Sequence, residues 1–319
     1  MIRLLAKVGF VMSLALTAFN QIVIIFIIIL VGIICYRVKL IDKEMNKKLS
    51  DLVLMLINPV VIFVSYQREF EAQLFKGLLI SIILAIITHF VSILIALLFI
   101  RGRKHKEDLA IERFAVIYTN CGFIGIPLAN GLFGTEGVFY ITAYMTIFNL
   151  FIWTHGLTIM TGKSDTKSIG KVLLSPSIIA TVFGFILFIS RIMLPETINS
   201  AFTFIGNMNT PMAMLVAGVT IAQIDIKKLL GKTRIYYICF LKMLFVPIAM
   251  IFIYCWFDIP QVVLLTSILA TACPTAVTIN LFALKYDKNY TYSSEIFVLT
   301  TILSMCSIPL IMMITNLVG

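Results

Sequence analysis

Ten long apolar stretches follow one another along this chain, and each is long enough to cross a lipid bilayer as a helix. About 20 predominantly apolar residues are needed for one crossing, because the hydrocarbon core is roughly 30 Å thick and a helix rises about 1.5 Å per residue. A helix also satisfies its own backbone polar groups, which lipid cannot do. The sequence therefore predicts an all-α polytopic membrane protein. Its transmembrane helices are expected at approximately residues 18–37, 48–66, 75–100, 109–130, 138–160, 172–191, 199–223, 235–257, 261–283 and 295–317.

Composition and residue patterns argue against several classes of protein. Hydrophobic residues make up 61% of the chain and charged residues 13%, and the short connections leave no room for a separate soluble domain. The net charge of +10 resides mainly in loops and does not indicate nucleic-acid binding. The six cysteines fall inside spans without a C-x-x-C motif, so neither disulfides nor a metal site is expected. No residue spacing is typical of an intramembrane enzyme, and no cofactor is expected.

Lysine and arginine residues are concentrated on one side of the predicted spans. Nineteen of the 25 follow spans 1, 3, 5, 7 and 9 or open span 4. Because cytoplasmic loops carry the excess of positive charge, we expect these loops in the cytoplasm and both termini outside the cell. This pattern predicts a multi-pass plasma-membrane protein.

The segment 1–17 allows two interpretations. It has a charged start, a short apolar run and small residues near its end, as a signal peptide has, but no clean A-x-A cleavage site follows. We adopt the alternative, an N-terminal extension of span 1. The topology of the ten spans is the same in both cases.

Ten spans with both termini on one side divide into two five-span halves, 18–160 and 172–317. An odd number of spans per half makes the halves inverted relative to each other. Weak internal repetition supports this division, since span 2 carries Asn58-Pro59 and span 7 carries Asn209-Thr210-Pro211 at similar positions. The sequence therefore predicts two inverted repeats.

The fourth span of each half is interrupted. Span 4 contains NCGFIGIP, which ends at Pro127, and span 9 contains Pro274 near its centre. Proline lacks an N–H group and crowds the carbonyl four residues earlier, which frees the carbonyls of Phe123 and Ala270. Paired breaks in inverted halves are typical of a transporter's binding site near the midplane, where half-helix ends hold ions or polar groups. The alternative is that these residues only kink two packed helices.

Polar and conformationally special residues near the breaks make up the candidate substrate site. Lys242 in span 8 is expected either to meet a substrate carboxylate or to extend towards the cytoplasmic interface. His89 in span 3 is expected to be a hydrogen-bonded structural residue, with proton relay as the alternative. Asn58 and Asn209 are expected to bond helix to helix or to contact substrate. The substrate candidates drawn from the residues are Asn120, Gly125, Pro127, Asn149, Lys242, Pro274, Thr275 and Thr278.

Three motifs resemble the auxin efflux carrier family, which includes bacterial malate and malonate permeases and plant auxin exporters. They are NCGFIGIP in span 4, FLKMLFVPIAM in span 8 and ACPTAVTINLFALKY in span 9. The resemblance extends over almost the whole chain from about residue 18. It implies a fold similar to bile-acid symporters and sodium/proton antiporters, in which spans 4 and 9 cross at their broken centres. It also implies a scaffold of spans 1, 2, 6 and 7, a transport unit of spans 3–5 and 8–10 that moves as an elevator, and a homodimer.

The resemblance implies a role for Asn120 and shows a departure from the plant pattern at Asn280. In the plant carriers an asparagine of the pattern N-x-x-x-x-G-I-P lies at the substrate carboxylate, and it matches Asn120 here. The plant pattern has a second proline in span 9 where this chain has Asn280. This departure argues against auxin itself, and Asn280 joins the substrate-site candidates.

The expected function is secondary transport of a small organic anion, a mono- or dicarboxylate. One alternative is a sodium-coupled symporter of bile-acid type, although the Gln and Glu ligands that such a site would use are sparse near the breaks. Another is a membrane sensor without transport. The substrate, its direction and the coupling ion stay open at this point.

Overall fold

The computed structural model describes residues 2–102, 106–162, 174–225 and 231–318. Throughout these ranges the architecture is all-α. We number the α-helices in chain order, and four single π-helical turns join some of them. The α-helices are α1 Ile2–Arg37, α2 Lys43–Leu52, α3 Asn58–Ser65, α4 Ala72–Phe99, α5 Lys106–Ile117, α6 Ile126–Phe151, α7 Leu157–Thr161, α8 Pro176–Ile189, α9 Glu196–Asn207, α10 Asn209–Ala222, α11 Thr233–Phe240, α12 Val246–Tyr254, α13 Gln261–Ala272, α14 Thr278–Lys285 and α15 Tyr290–Val318.

Seven helical segments in the described part of the chain are long and apolar enough to cross a membrane. They are Phe19–Arg37, Lys43–Ser65, Ala72–Phe99, Cys121–Thr161, Glu196–Ala222, Thr233–Tyr254 and Tyr290–Leu317. Two shorter apolar helices, α8 and α13, stand beside them. The segment from Cys121 to Thr161 is interrupted at Gly134, whose φ of 60° and ψ of −150° are not helical. The chain is thus a multi-pass helical membrane protein.

The structure differs from the predicted limits at the ends of several spans. Residues 2–17 of the predicted extension are helical and continue without a break into span 1, so that α1 runs from Ile2 to Arg37. Part of the predicted cytoplasmic charge, including Lys163, Lys167, Lys171, Lys227 and Lys228, lies outside the described residues.

The surface of the helices shows which faces meet lipid. Large apolar side chains are exposed along α1, α4 and α8, among them Ile27, Phe90 and Phe183. A soluble protein rarely exposes apolar patches of this extent, whereas hydrocarbon solvates them. The opposite faces pack into one continuous apolar core whose largest buried side chains include Tyr118 and Phe114.

Three of the four π-helical turns in the described part of the chain end two residues before a proline. They end before Pro59, Pro127 and Pro247, and in each the residue just before the proline donates its N–H group to the carbonyl five residues earlier. Proline cannot donate, and its ring crowds the carbonyl four residues back. A wider turn relieves this clash without ending the helix. Proline positions in the sequence therefore account for these local distortions.

Two carboxylates near the predicted starts of spans 4 and 10 are buried in the structure. Glu112 on α5 is fully buried and pairs with Arg234, whose Nη2 lies 2.7 Å from Glu112 Oε2, and the Tyr292 hydroxyl donates to Glu112 Oε1 at 2.8 Å. Glu295 on α15 pairs with Lys232 at 2.6 Å. Truncating one partner would leave a buried charge unpaired. These ion pairs join α5, α11 and α15 at one end of the bundle.

Helices α1 and α10 approach each other through glycines. A Cβ atom on Gly218 would clash with the backbone carbonyl oxygen of Ile29, and one on Gly32 would clash with that of Leu215. Small residues at membrane helix interfaces allow this close approach and the packing that results from it.

We predict that Gly218→Ala destabilises the protein by about 1–3 kcal/mol, because the added methyl group must push α1 and α10 apart. The measurement is thermal unfolding of the purified protein in detergent. Gly206→Ala is the matched helical control, since its Cβ would meet Val61 at an ordinary 3.4 Å. Equal melting temperatures for the two variants would contradict the packing described for α1 and α10.

Candidate functional site

Two short non-helical segments cross in the centre of the molecule. One connects α5 to the π turn Cys121–Gly125, and the other connects α13 to α14. Thr119 and Thr275 form an isolated antiparallel β-bridge between them. The Asn120 N–H donates to the Pro274 carbonyl at 2.7 Å, and the Ala276 N–H donates to the Tyr118 carbonyl at 3.0 Å. We call this arrangement the crossing.

Each threonine of the bridge satisfies a carbonyl freed in the other segment. Pro274 has no N–H group for the Ala270 carbonyl, which instead accepts the Thr119 hydroxyl. In return the Thr275 hydroxyl donates to the Ala115 carbonyl at 3.0 Å. A carbonyl left unpaired in hydrocarbon would cost several kcal/mol. The two breaks therefore compensate each other.

Asn120 lies at the start of the half-helix that leaves the crossing. Its backbone carbonyl accepts from the N–H groups of Ile124 and Gly125 at 3.1 and 3.2 Å. Its side chain is only 4% exposed, and its Nδ2 has no hydrogen-bond partner among the described residues. A buried donor without a partner is costly in a native protein and is often explained by an absent ligand or water. The Asn120 amide is thus available to an acceptor.

Gly125 and Lys242 also lie at the crossing. A Cβ atom on Gly125 would lie 2.8 Å from Ile141 Cδ1 and 3.3 Å from Cys273 Sγ, so glycine allows this turn to pack against α6 and the span 9 segment. Lys242 in the π turn Leu241–Phe245 is 1% exposed and lies near Cys121 and Cys273. Its side chain is buried, which argues against the alternative that it extends to the cytoplasmic interface.

The remaining span 9 candidates flank the crossing. Thr278 begins α14, and its hydroxyl is buried without a partner in the described structure. The Asn280 Oδ1 accepts from the Ser293 hydroxyl at 2.9 Å, while its Nδ2 has no partner within the described ranges. Asn149, by contrast, is only half-buried on α6, and no hydrogen bond of its side chain occurs within the described structure. The geometry does not group Asn149 with the crossing.

Asn58 and Asn209, which mark the internal repeat, meet each other. Asn209 Nδ2 donates to Asn58 Oδ1 at 2.9 Å, in agreement with the helix-to-helix interpretation. A Cβ atom on Gly122 would lie 3.4 Å from Asn58 Nδ2, so this pair borders the crossing. The Asn209 Oδ1 has no partner in the described part of the chain.

His89 is a buried residue of α4 beside the crossing. Its Nδ1 lies 2.7 Å from the Ala85 carbonyl, and because a carbonyl only accepts, Nδ1 carries the proton. The ring stacks on Phe151 at a centroid distance of 4.8 Å. This hydrogen bond and this stacking match the structural role expected for His89. The other ring nitrogen has no partner among the described groups.

A cavity of about 350 Å³ lies against the half-helix that starts at the crossing. Its walls come from α3 and the loop after it, from α6, and from α9 and α10. Pro127 and Asn209 line it, together with Gln67 and Arg68. This size lies within the range of small-molecule sites.

Sequence reasoning missed two features of this site. The first is the hydrogen bond from the Thr119 hydroxyl to the Ala270 carbonyl. The sequence held a signal for it, because a threonine stands beside each break, Thr119 beside Asn120 and Thr275 beside Pro274. Arg68 falls in the predicted loop between spans 2 and 3, and nothing in the sequence brings that loop to the half-helix. The structure places Arg68 on the wall of the cavity.

Comparison with known proteins agrees with this geometry. A family described as membrane transport protein, the auxin efflux carriers, matches residues 17–171 and 163–312. The chain belongs to this family. Two successive matches indicate repeated halves. As a family member the protein is a membrane transporter and not an enzyme, and it works in a lipid bilayer on a transported substrate.

Two uncharacterized transporters are similar to this chain. An uncharacterized transporter of Methanothermobacter thermautotrophicus is 24% identical over 290 residues, which cover 90% of this chain and 94% of the relative. An uncharacterized transporter of Methanocaldococcus jannaschii is 24% identical over 221 residues, which cover 65% and 70%. Neither name specifies a substrate.

We predict that Thr119→Val and Thr275→Val each destabilise this auxin efflux carrier family member by about 1–3 kcal/mol, because each leaves a buried carbonyl unpaired. The measurement is thermal unfolding in detergent. Thr158→Val is the control, since the Thr158 hydroxyl bonds only within its own helical run, to Thr154. If Thr158→Val destabilises the protein as much as the two bridge variants do, the mutual hydrogen bonding of the two segments does not contribute as described.

Proposed function

We propose that this protein is a secondary carrier of a small organic anion and works by elevator-type alternating access. The observation that carries the proposal is the crossing itself, where two broken helices meet and the buried Asn120 Nδ2 has no acceptor among the described residues. A carboxylate is an acceptor that such a donor prefers, and the partial positive charge at the half-helix N-terminus beginning at Cys121 favours an anion.

Further groups around the crossing fit an anion. Lys242 brings a buried positive charge to the crossing from span 8, and Thr278 and Asn280 offer donors from span 9. A carboxylate held here would satisfy groups that otherwise lack partners. Gly125, Pro127, Pro274 and Thr275 would shape the site by fixing the two broken segments.

The ten-span topology with two inverted halves is part of the proposal. The observed helices support it if α5 with the helix up to Gly134 forms span 4, and the helix after Gly134 forms span 5. Helices α8 and α13–α14 then supply spans 6 and 9. A helix of 41 residues would be about 60 Å long, twice the hydrocarbon thickness, which favours dividing it at Gly134.

The proposed division of labour assigns spans 1, 2, 6 and 7 to a scaffold and spans 3–5 and 8–10 to a transport unit. The ion pairs of Glu112 and Glu295 and the hydrogen bonds of the crossing tie helices of the transport unit to one another. The cavity lies between α3, α9 and α10 on one side and α6 on the other, at the boundary of the two units. A homodimer formed by the scaffold spans in the plasma membrane completes the proposal.

We predict that Asn120→Ala reduces uptake of a transported carboxylate by about 10-fold or more, since a donor to a charged acceptor contributes about 1.5–3 kcal/mol. The measurement is flux into proteoliposomes, with mono- and dicarboxylates as test substrates. Asn46→Ala is the matched control, because Asn46 is also buried and bonds to Thr220. Asn46 lies about 18 Å along the helix from Asn58, which borders the crossing, so it is remote from the proposed site. If Asn120→Ala transports the carboxylate at the wild-type rate, the proposal that the crossing binds the substrate is wrong.

The proposed orientation is testable by cysteine labelling in whole cells. In a background without the native cysteines, Glu71→Cys is expected to react with a membrane-impermeant maleimide. Lys48→Cys, whose native side chain is 74% exposed, is expected to react only after permeabilisation. The reverse pattern would show that the termini lie in the cytoplasm.

A further inference from the structure

We propose that Arg68, assisted by Gln67, receives the carboxylate of the substrate in the cavity beside the crossing, before that carboxylate reaches Asn120. This inference rests on the proposed carrier function and adds to it a binding residue and a preference among carboxylates. It assigns to the loop after α3 a role that neither the fold nor the crossing requires.

The Arg68 guanidinium lies at the wall of the cavity, and contacts with Thr135 and Phe139 hold it in place. Its Nη2 donates to the Thr135 hydroxyl at 3.0 Å, and its Cζ lies 5.1 Å from the centroid of the Phe139 ring. Its Nη1 is buried and has no hydrogen-bond acceptor among the described residues. A guanidinium fixed in this way is preorganised to bond a carboxylate oxygen.

Gln67 supplies a second free donor next to Arg68. Its Oε1 accepts the Leu194 N–H at 2.9 Å, which fixes the orientation of the amide. The Nε2 is therefore left as a donor, and it is buried without a partner in the described structure. Both residues line the cavity. Two adjacent donors match the two oxygens of one carboxylate.

The charge of Arg68 is not neutralised by a direct ion pair within the described ranges. Burial lowers the pKa of Arg68, and the nearby carboxylates of Glu136 and Glu71 raise it, but an arginine remains charged under these influences. An ion pair of Arg68 closer than 4 Å does not occur among the described residues. The positive charge is thus available to a substrate.

The rest of the cavity indicates what kind of carboxylate fits. Arg68 is the only charged side chain that lines it in the described part of the chain. The other walls combine apolar groups such as Val61, Val138 and Pro127 with neutral amides and hydroxyls. A second carboxylate would lie there without a cation, at a considerable desolvation cost. The cavity therefore favours a monocarboxylate with an apolar body.

The test compares three six-carbon probes by thermal stabilisation of the purified full-length protein. Hexanoate carries one carboxylate, adipate carries two, and hexanamide carries none. A ligand that binds the folded state raises the melting temperature according to its affinity. We expect hexanoate to stabilise the protein more than adipate does, and hexanamide to have no effect.

Substitutions then test whether Arg68 and Gln67 themselves bind hexanoate. Arg68→Gln and Gln67→Glu are expected to weaken hexanoate binding roughly 10- to 100-fold, since each removes or repels a charge-assisted contact. Gln67→Glu keeps the acceptor for Leu194. The matched control is Arg191→Gln, because Arg191 also lies over an aromatic ring, 5.1 Å from the centroid of Phe70, but does not line the cavity. It is expected to bind hexanoate as the wild type does.

Each outcome bears on a different claim. If hexanoate stabilises Arg68→Gln as strongly as the wild type, the inference about Arg68 is wrong and the carrier proposal stands. If adipate stabilises the wild type more than hexanoate does, the preference for one carboxylate is wrong. If neither acid stabilises it, the organic-anion proposal falls and this inference falls with it.

Discussion

The exchange of hydrogen bonds at the crossing is the interaction on which the rest of the structure depends. Hydrocarbon offers no partner to a backbone carbonyl, so a helix broken inside a membrane needs another group to satisfy it. Here the Thr119 hydroxyl bonds to the Ala270 carbonyl, and the Thr275 hydroxyl bonds to the Ala115 carbonyl. Neither break is tolerable without the other. The two broken segments therefore form one unit, although about 150 residues of chain separate them.

This mutual satisfaction leaves selected groups free, and those groups suggest the function. The backbone of the crossing pairs within itself, whereas the Asn120 amide has no partner in the described structure. The neighbouring cavity adds the cationic Arg68 at its wall. Because the cavity lies between α6 on one side and α3, α9 and α10 on the other, a bound anion would touch both the crossing unit and the helices that flank it. Movement of one relative to the other would then carry the anion across the membrane.

Much of the fold could be predicted from the sequence, because the signals were local. Apolar length predicted membrane helices, and Pro274 predicted a break that the structure contains. At Pro127 the helix continues after a π turn, and the break of span 4 lies earlier, at residues 118–120. Asn58 and Asn209 were paired by sequence position, and they also pair in space. The missed features depend on tertiary contact. Glu112 is near a span end in the sequence, yet its side chain is buried against Arg234, and Arg68 reaches the cavity only because its loop folds over Phe139.

The central claim is that the crossing unit moves past α3, α9 and α10 when it carries an anion. The most direct measurement is a pulsed-EPR distance distribution in proteoliposomes between spin labels at Phe204 and Trp256. Both side chains are exposed, one on α9 and the other just after α12. The account predicts two populations of distances whose ratio shifts when a transported carboxylate is added. A single distribution that the substrate leaves unchanged, in protein shown to bind that substrate, would contradict it.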